Sequence, residues 1–477
     1  MKEIKFNNSI SSIDKKNWNK LIPDNDYPFL KYEFLELLEK TNCVGKNTGW
    51  HPAHISIEEN SEILGAMPLY IKTDSSGEFV FDYSWANAFY QHGLDYYPKL
   101  VSSIPFTPAS GPRILHQDKE SADQIFSLIL SGVKKLSEEN NISSWHVLFP
   151  EEKDIGVFSE KSLSVRKNAQ FIWFNENFNT FDDFVDTFRS RHRKNVKKER
   201  EKVLNQGIDI QTFSGTDLNE ELMMQFYEFY LSTNLKRSGH FGYLTKEFFE
   251  GCLDTINENI VLVLAKDTNS ESLVGGSMFF KDKENLYGRY WGCSAEYDCL
   301  HFECCYYQGI EFAIKNKLNK FDPGVQGEHK IKRGFKPTIT YSAHWISEPN
   351  FKDAIENFVN NEESNFIYYL GCMPLVKINL GTNHLRTFMQ GGTQSVIYSR
   401  KVREQILKSN KDAITDWDAN LTMFVRPNSY CYKSPLCYQT FPLTDNQQAW
   451  PNYFGIKQLT LHLFLLQFFL LLQFHLL

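Results

Sequence analysis

The chain has 477 residues, of which 42% are apolar, 15% aromatic and 23% charged. This composition excludes a disordered chain and a coiled coil, and the length suggests about three domains. The formal net charge of −7 argues against a protein that binds nucleic acid along its whole length, although it leaves room for a local basic surface.

The cysteines and the first residues predict a cytoplasmic protein. The nine cysteines are scattered without a CxxC pair, which excludes a zinc ribbon and a thioredoxin motif. We interpret them as reduced thiols of the cytosol. The segment Met1–Asn8 lacks the apolar stretch of a secretory signal.

Residues 1–165 have the pattern of a mixed α/β domain. An aromatic stretch rich in Pro and Gly, from Phe79 to Pro112, favours two readings equally: a shaped loop that lines a groove, or ordinary core with turns. The other elements predicted here are a helix at Tyr32–Glu39, strands at His54–Ile57 and Gly65–Ile71, a helix over 118–140 and a strand at Trp145–Pro150.

A basic helix is the most unusual feature of residues 166–362. Thr180 can cap a helix whose first turn holds Asp182 and Asp183, and this helix is predicted to continue to about Gly207. Between Arg189 and Lys202, eight Lys or Arg residues stand against two Glu residues. Such a run is often a solvated face, but its density equally favours an anionic partner: a cofactor phosphate, a nucleotide-linked precursor or an RNA backbone.

Around this helix, strands and helices are predicted to alternate as in an α/β domain. They are strands at Gln170–Phe174, Ile260–Ala265, Leu273–Phe280, Leu286–Gly292 and Lys320–Asp322, and helices at Glu220–Leu235 and His301–Lys317.

The loop from Gly324 to Pro337 combines one acid, one histidine and four cations. Glu328 or His329 can serve as a general base, and Lys332 or Arg333 can stabilise developing negative charge. The alternative is an exposed loop without a chemical role. We favour the functional interpretation, because loops placed by α/β scaffolds often carry sites.

Arg289 lies in the aromatic segment Tyr287–Gly292 and needs a partner, since a lone buried cation is costly. Glu303 is one candidate, and a structural ion pair is as consistent with the pattern as a substrate contact. The chain has no P-loop, no serine nucleophile elbow and no HExxH motif, and we expect no metal site.

Several segments in one order resemble the FemAB-like predicted N-acyltransferases, a peptidoglycan biosynthesis/recognition group of the GNAT superfamily. The resemblance covers about residues 28–362. It is carried by Pro28–Leu35, Tyr97–Leu100, Pro105–Pro108, the basic helix from Ser190 to Glu201, Leu286–Gly292, Leu300–Glu303, Tyr306–Glu311 and Gln326–Phe335.

The resemblance implies an α/β fold with mixed sheets and two tandem GNAT-like domains, at 1–165 and 166–362. It also implies an N-acyltransferase that moves an acyl or aminoacyl group to an amine, such as one of a peptidoglycan precursor. The co-substrate would be an acyl-CoA or an aminoacyl-tRNA, with no tightly bound cofactor, so tRNA is an expected partner. The alternative is a non-catalytic GNAT-like module that binds a cell-wall precursor or glycan.

The family pattern also suggests site residues. The Lys-containing segment that ends in Gly-Phe matches Lys332, Gly334 and Phe335, within a predicted catalytic set of Glu328, His329, Lys332 and Arg333. The predicted substrate- and donor-binding residues are Arg191, Arg193, Lys194, Asn195, Arg289, Trp291, His301, Glu303 and Gln326.

The C-terminal part departs from this pattern. Residues 363–457 loosely resemble the final section of a lipopolysaccharide-type glycosyltransferase, and we interpret them as a fragment without its own activity. Residues 458–477 are mostly Leu and Phe, with Gln and His residues between them. This tail is just long enough to span a membrane, but it also resembles low-complexity sequence, so weak membrane association is a prediction.

Overall fold

The computed structural model describes residues 2–80, 82–325 and 327–362, and the backbone of three later strands. The chain divides into two compact units, Met1–Val359 and Asn360–Leu477. The strands that begin in the first unit are β1 Glu3–Asn7, β2 Trp50–Pro52, β3 His54–Glu59, β4 Glu62–Met67, β5 Tyr70–Lys72, β6 Lys99–Ser102, β7 Leu115–His116, β8 Ser144–Leu148, β9 Ser164–Phe174, β10 Ile208–Ser214, β11 Ile260–Asp267, β12 Leu273–Lys281, β13 Asn285–Cys293, β14 Lys320–Asp322 and β15 Lys336–Ile346. The helices are α1 Lys15–Asn19, α2 Tyr32–Lys40, α3 Tyr83–Gln91, α4 Ala122–Asn140, α5 Ile155–Glu160, α6 Phe181–Asp186, α7 Ser190–Asn205, α8 Glu220–Ser238, α9 Lys246–Thr255, α10 Leu300–Phe302, α11 Gln308–Lys315 and α12 Pro349–Glu362.

Two sheets form the framework of the first unit. A four-stranded antiparallel sheet has the order β1-β3-β4-β7, and an eleven-stranded sheet has the order β10-β11-β12-β13-β14-β9-β15-β8-β6-β5-β2. In the large sheet the pairs β13–β14 and β6–β8 are parallel, and they lie on opposite sides of β9 and β15. The predicted mixed α/β fold class is confirmed.

Apolar side chains of the helices pack against both sheets. Helix α4 buries Ile125, Phe126 and Ile129 in one core, as its periodicity predicts. Helix α11 packs on β13 and β14, and helix α7 packs on β10; Val196 of α7 and Ile310 of α11 are buried in a second core. This second core supports the residues of the candidate site.

Proline divides one predicted strand into two. The segment Gly65–Ile71 is predicted as a single strand, but β4 ends at Met67 and β5 begins at Tyr70, and the two belong to different sheets. Pro68 stands between them and has no N–H to donate to a ladder. The chain therefore passes from one sheet to the other at this proline.

The aromatic stretch after Phe79 contains the helix Tyr83–Gln91, so the loop interpretation is wrong for those residues. Within α3, Trp85 and Phe89 are buried at i, i+4 spacing. The Phe89 ring lies 5.2 Å from that of Tyr96 and 4.1 Å from that of Phe351 in α12. This local core orders the stretch as a helix.

The helix predicted to run from Thr180 to Gly207 is interrupted. Thr180 caps α6 through the predicted first turn, in a capping box with Asp183. Thr187 then donates its hydroxyl to the Phe184 carbonyl over 2.7 Å, and Arg189 is extended, with ψ near 146°. The basic run therefore forms a separate helix, α7, which ends at Asn205 before the left-handed Gly207.

The predicted boundary between residues 165 and 166 falls inside β9, which pairs with both β14 and β15. Of the predicted extension at 363–457, three mutually paired strands are described: β16 Phe366–Asn379, β17 His384–Tyr398 and β18 Asn428–Tyr432. The rest of that extension and the tail at 458–477 lie outside the described residues. Across the helices that the structure does describe, none has the length and apolar character needed to cross a membrane.

Candidate active site

Strand β13 extends well beyond its parallel neighbour. β14 ends at Asp322, opposite Tyr287, whereas β13 continues to Cys293. Among the described strands, Gly288–Cys293 therefore pair on one side only, with β12. The loop that follows β14 begins beside this open edge, because an added Cβ on Gly324 would lie 3.5 Å from the Gly288 carbonyl oxygen.

A short 3-10 helix, Glu328–Arg333, forms the centre of that loop. Glycines in the left-handed region flank it, Gly327 at φ 101° and Gly334 at φ 87°. A Cβ on Gly334 would lie 2.5 Å from the Phe184 ring, so both conformation and space require glycine there. Gln326 and the side chain of Glu328 lie outside the described residues.

His329 is exposed and contacts Tyr306, which lies outside the loop. The imidazole Nε2 lies 2.9 Å from the Tyr306 hydroxyl. Partial burial, followed by the charges of Arg333 and Lys330, lowers the pKa of His329. The imidazole is therefore neutral at pH 7 and can accept a proton.

Tyr306 belongs to a π-helical turn, Glu303–Tyr307, between α10 and α11. The helix predicted from His301 to Lys317 is interrupted here, because the wider turn accommodates an extra residue. Two consecutive residues of this turn have different partners. Tyr306 contacts His329, and Tyr307 donates its hydroxyl to Glu199 of α7.

Arg333 is buried in an ion pair. Its guanidinium donates to both carboxylate oxygens of Glu199, at 2.7 and 3.0 Å, and lies 3.5 Å from the centre of the Phe302 ring. A third bond of 2.9 Å goes to the His329 carbonyl. Arg333 therefore links the short helix to α7 and holds the backbone of His329.

Lys332 and Lys330 differ sharply in exposure. Lys332 is exposed and has no ion pair within the described residues, whereas Lys330 is 2% exposed and donates to the Gly324 carbonyl over 2.7 Å. Burial lowers the pKa of Lys330 to about 8, although Asp322 opposes the shift. Of these two lysines, Lys332 is the one that is free to contact a substrate directly.

Arg289 pairs with Asp322, and Glu303 pairs elsewhere. Arg289 donates to the Asp322 carboxylate over 2.7 Å, with both side chains buried. The predicted Arg289–Glu303 pair is therefore wrong. Asp322 also accepts a bond of 2.9 Å from the Gly324 N–H, so this pair fixes the start of the loop.

Glu303 instead binds Arg200 of the basic helix. The Arg200 guanidinium contacts both oxygens of Glu303, at 2.9 to 3.2 Å, and both oxygens of Glu311, at 2.8 and 3.1 Å. Burial lowers the pKa of Arg200, but the two carboxylates outweigh it and raise that pKa. This three-residue network joins α7, the π turn and α11.

Trp291 and His301 line the aromatic side of the same region, with ring centres 5.3 Å apart. The His301 ring lies 5.3 Å from that of Tyr306. Burial and then the charge of Arg237 lower the pKa of His301 to about 4. Among the predicted binding residues, these two therefore lie beside the His329–Tyr306 pair.

The outer face of α7 is basic. Val196 and Val203 face the core, whereas Arg191, Lys194 and Lys198 share the opposite, exposed side and have no ion pair among the described residues. Asn195 is exposed beside them. Arg193 differs, since it pairs with Asp186 over 3.0 Å and donates to the Phe188 carbonyl over 3.2 Å.

Sequence reasoning missed Tyr306, Glu199 and Lys330 as parts of the site. Tyr306 looked like an ordinary core residue of a helix, and Glu199 was counted only as a negative charge. Lys330 was one cation among four. The available signal for Glu199 was that it is an acid among the cations of the basic helix, because an acid that faces the protein interior needs a cation as partner. The described residues contain no cluster of three or more His, Cys, Asp or Glu that could hold a metal, and the six cysteines between Cys43 and Cys305 are free thiols.

Comparison with solved structures finds chains of similar topology at low identity. FemX is 12% identical, with 75% of this chain and 100% of that chain covered and a TM-score of 0.44. A tandem GNAT protein from the clavulanic acid biosynthesis pathway is 8% identical, with 73% and 99% covered and a TM-score of 0.41. L-PGS from Bacillus licheniformis is 11% identical, with 68% and 95% covered and a TM-score of 0.39.

Comparison with curated proteins found no match. The profile of the FemAB-like family, described as peptidoglycan biosynthesis/recognition, matches residues 9–372. This match spans the whole eleven-stranded sheet, the four-stranded sheet except β1, and every residue of the candidate site. The chain belongs to the FemAB-like family.

Proposed function

We propose that the protein is an N-acyltransferase that moves an acyl or aminoacyl group from an activated donor to an amine. The donor would be an acyl-CoA or an aminoacyl-tRNA, and the acceptor an amine of a peptidoglycan precursor. Membership of a peptidoglycan biosynthesis/recognition family supports this substrate class.

One observation carries the proposal. His329 presents an imidazole of lowered pKa at the loop surface, held by Tyr306, and the exposed Lys332 follows three residues later. A neutral base and an unpaired cation on one short helix are the two groups that acyl transfer to an amine requires.

The reaction proceeds by attack of the amine nitrogen on the donor carbonyl carbon. His329 removes the proton that the nitrogen must lose, and Lys332 stabilises the negative charge that develops on the carbonyl oxygen. The tetrahedral intermediate then collapses, and the donor's thiol or sugar hydroxyl leaves with a proton. Exposure of both groups suits a large acceptor.

The remaining predicted residues receive supporting roles in this proposal. Arg333 positions His329 through its backbone carbonyl, and Arg289 orders the loop through Asp322. Trp291 and His301 form an aromatic wall beside the reacting groups. Arg191, Lys194 and Asn195 on α7 offer a surface for the anionic part of the donor.

A non-catalytic role has one observation in its favour. Two arginines of this region, Arg333 and Arg200, are already neutralised by Glu199, Glu303 and Glu311. A module that only binds a cell-wall precursor or glycan needs no free cation to stabilise a transition state. The family description also includes recognition.

The full chain incubated with a muropeptide and either acetyl-CoA or charged tRNA distinguishes the two functions. Mass spectrometry should detect the acylated muropeptide in the wild type and a loss of product with His329→Ala. Tight binding of the muropeptide without any product from either donor would establish the binding module and reject the transferase.

A further inference from the structure

A polar groove adjoins the Arg200 network, whose Glu311 is part of its lining. It has a volume of about 800 Å³ and runs between the segment that joins β9 to α6 and the C-terminal end of α11. Its chemistry is carried by three asparagines, two lysines and one aromatic residue: Asn177, Asn179, Asn319, Lys315, Lys317 and Phe178. None of them belongs to the proposed reaction centre.

The floor of this groove is built by hydrogen bonds. The Asn175 N–H donates to the Asn319 carbonyl over 2.8 Å, and its carboxamide donates to the Leu318 carbonyl over 3.1 Å. The same carboxamide accepts a bond of 3.0 Å from the Phe178 N–H. The two walls are therefore held together before any ligand enters.

The polar side chains above this floor are unused. Within the described part of the chain, the carboxamides of Asn177, Asn179 and Asn319 make no hydrogen bond, and Lys315 and Lys317 have no ion pair. The one acid on the lining, Glu311, is neutralised by Arg200. The groove therefore offers carboxamides that both donate and accept, together with two uncompensated positive charges.

We propose that this groove binds a saccharide that carries a negatively charged substituent. Carboxamides match sugar hydroxyls because each partner both donates and accepts hydrogen bonds. The two lysines match a phosphate or carboxylate on the sugar, and the half-buried Phe178 ring offers an apolar surface for the sugar's C–H face. Neither the lysines nor the carboxamides alone would specify this combination.

The lining of the groove contacts the π turn that also carries Tyr306. Phe181, on its lining, has its ring centre 5.9 Å from that of Tyr307, whose neighbour Tyr306 contacts His329. In an assignment that rests on the proposed function, the groove holds the sugar of the acceptor while its amine reaches His329. The binding of the saccharide does not depend on that assignment.

Ligand-observed NMR titration of the full chain tests the proposal with four probes: N-acetylglucosamine 1-phosphate, glucuronic acid, N-acetylglucosamine and inorganic phosphate. We expect at least one charged sugar to bind more tightly than the neutral sugar and free phosphate. The double variant Lys315→Ala/Lys317→Ala should raise its Kd at least about tenfold, and Asn319→Ala about fivefold. The matched control, Lys134→Ala/Lys135→Ala on α4, removes two exposed lysines elsewhere and should leave Kd unchanged.

Absence of binding by both charged sugars, or equal Kd values for the two double variants, would overturn the proposal. Free phosphate binding as tightly as the sugar phosphate would overturn its saccharide part. Acyl-transfer assays separate this inference from the proposed function. An unchanged acceptor KM in Lys315→Ala/Lys317→Ala rejects the assignment of the groove to the acceptor, whereas sugar binding without transfer by the wild type rejects the transferase alone.

Discussion

His329 and Lys330 are neighbours in sequence and opposites in surroundings. The 3-10 turn directs His329 to the surface and places Lys330 in the interior, where it is 2% exposed and bonded to a carbonyl. A change at His329 should therefore affect chemistry, whereas a change at Lys330 should affect folding of the loop.

Lys332 should contribute to catalysis through its charge. Lys332→Ala is expected to lower kcat/KM about 10²-fold, the effect of removing one oxyanion donor, whereas Lys332→Arg should retain part of the activity. Lys336→Ala, which removes another exposed lysine four residues along, should change kcat/KM little. Near-wild-type turnover by Lys332→Ala would contradict the assigned role.

Buried histidines should make the fold sensitive to acid. Burial and then the charge of Lys99 lower the pKa of His146 to about 3, although Asp82 opposes the shift. The unfolded chain takes up a proton here near pH 6.5, and the folded chain does not until about pH 3. The stabilisation by neutral His146 is therefore present above pH 6.5 and is lost as the pH falls from 6.5 towards 3. The loss at pH 4 is about 3 kcal/mol.

Glu78 should make stability depend on pH in the opposite direction from His146. Burial raises its pKa to about 7, so its contribution is present below about pH 4.5 and declines as the pH rises to about 7. Denaturant unfolding from pH 4 to 8 measures the sum of the His146 and Glu78 contributions. In His146→Asn the free energy of unfolding should fall less steeply below pH 6 than in the wild type, and equal slopes would exclude His146 as the source.

At the scale of elements, the π turn and the basic helix are one unit. Arg200 of α7 reaches Glu303 in the π turn and Glu311 in α11, and Glu199 reaches Arg333 in the short helix. The two consecutive residues thus connect four elements. The basic helix is both a surface for anions and a support for the site.

Arg200→Ala should destabilise the protein by about 3 kcal/mol, because it leaves the buried Glu303 without its cation. Lys202→Ala on the same helix is the matched control, since Lys202 pairs with the exposed Asp298 and its loss should change stability little. Chemical denaturation measures both variants. Equal stability of the two would show that the Arg200 network does not hold these elements together.

The exposed stripe of α7 should bind nucleic acid if the donor is charged tRNA. Replacing Arg191, Lys194 and Lys198 by Glu should weaken tRNA binding and reduce the slope of log K against log salt by about 2. Arg193→Glu with Lys194→Glu should also weaken it, but it breaks the Arg193–Asp186 pair as well. An affinity that stays constant from low to high salt would identify the stripe as a solvated face.

At the scale of the whole molecule, the first unit has its own cores and a continuous eleven-stranded sheet. Its last helix, α12, buries Ile355 and Val359 in the core that contains Trp85 and Phe89. A shortened protein must therefore keep this helix.

Truncation after Ser364 should give a soluble protein that unfolds cooperatively and retains the activity of the full chain. The full chain should be less soluble, because an exposed Leu/Phe run favours association. Calorimetry and light scattering on both proteins test this expectation. Aggregation of the shortened protein beside a monomeric full chain would mean that residues beyond 364 complete the core.

Sequence periodicity alone predicted many of the regular elements. The capping box at Thr180, the amphipathic face of α4 and the strands β11 to β13 all depend on neighbours within a few residues, so local spacing is enough to predict them. The basic helix and the polar loop after β14 were also identifiable from composition, and their order along the chain was enough to identify the family.

Only the tertiary structure decided which charged groups pair and which remain free. Arg289 could not be assigned to Asp322, nor Arg200 to Glu303 and Glu311, because ion pairs between distant residues leave no periodic signal. The π turn that brings Tyr306 to His329 was hidden for the same reason, since its register depends on packing against β12 and α7. Local spacing therefore predicted many of the elements, whereas long-range packing determined where some of them break and which charged groups they present.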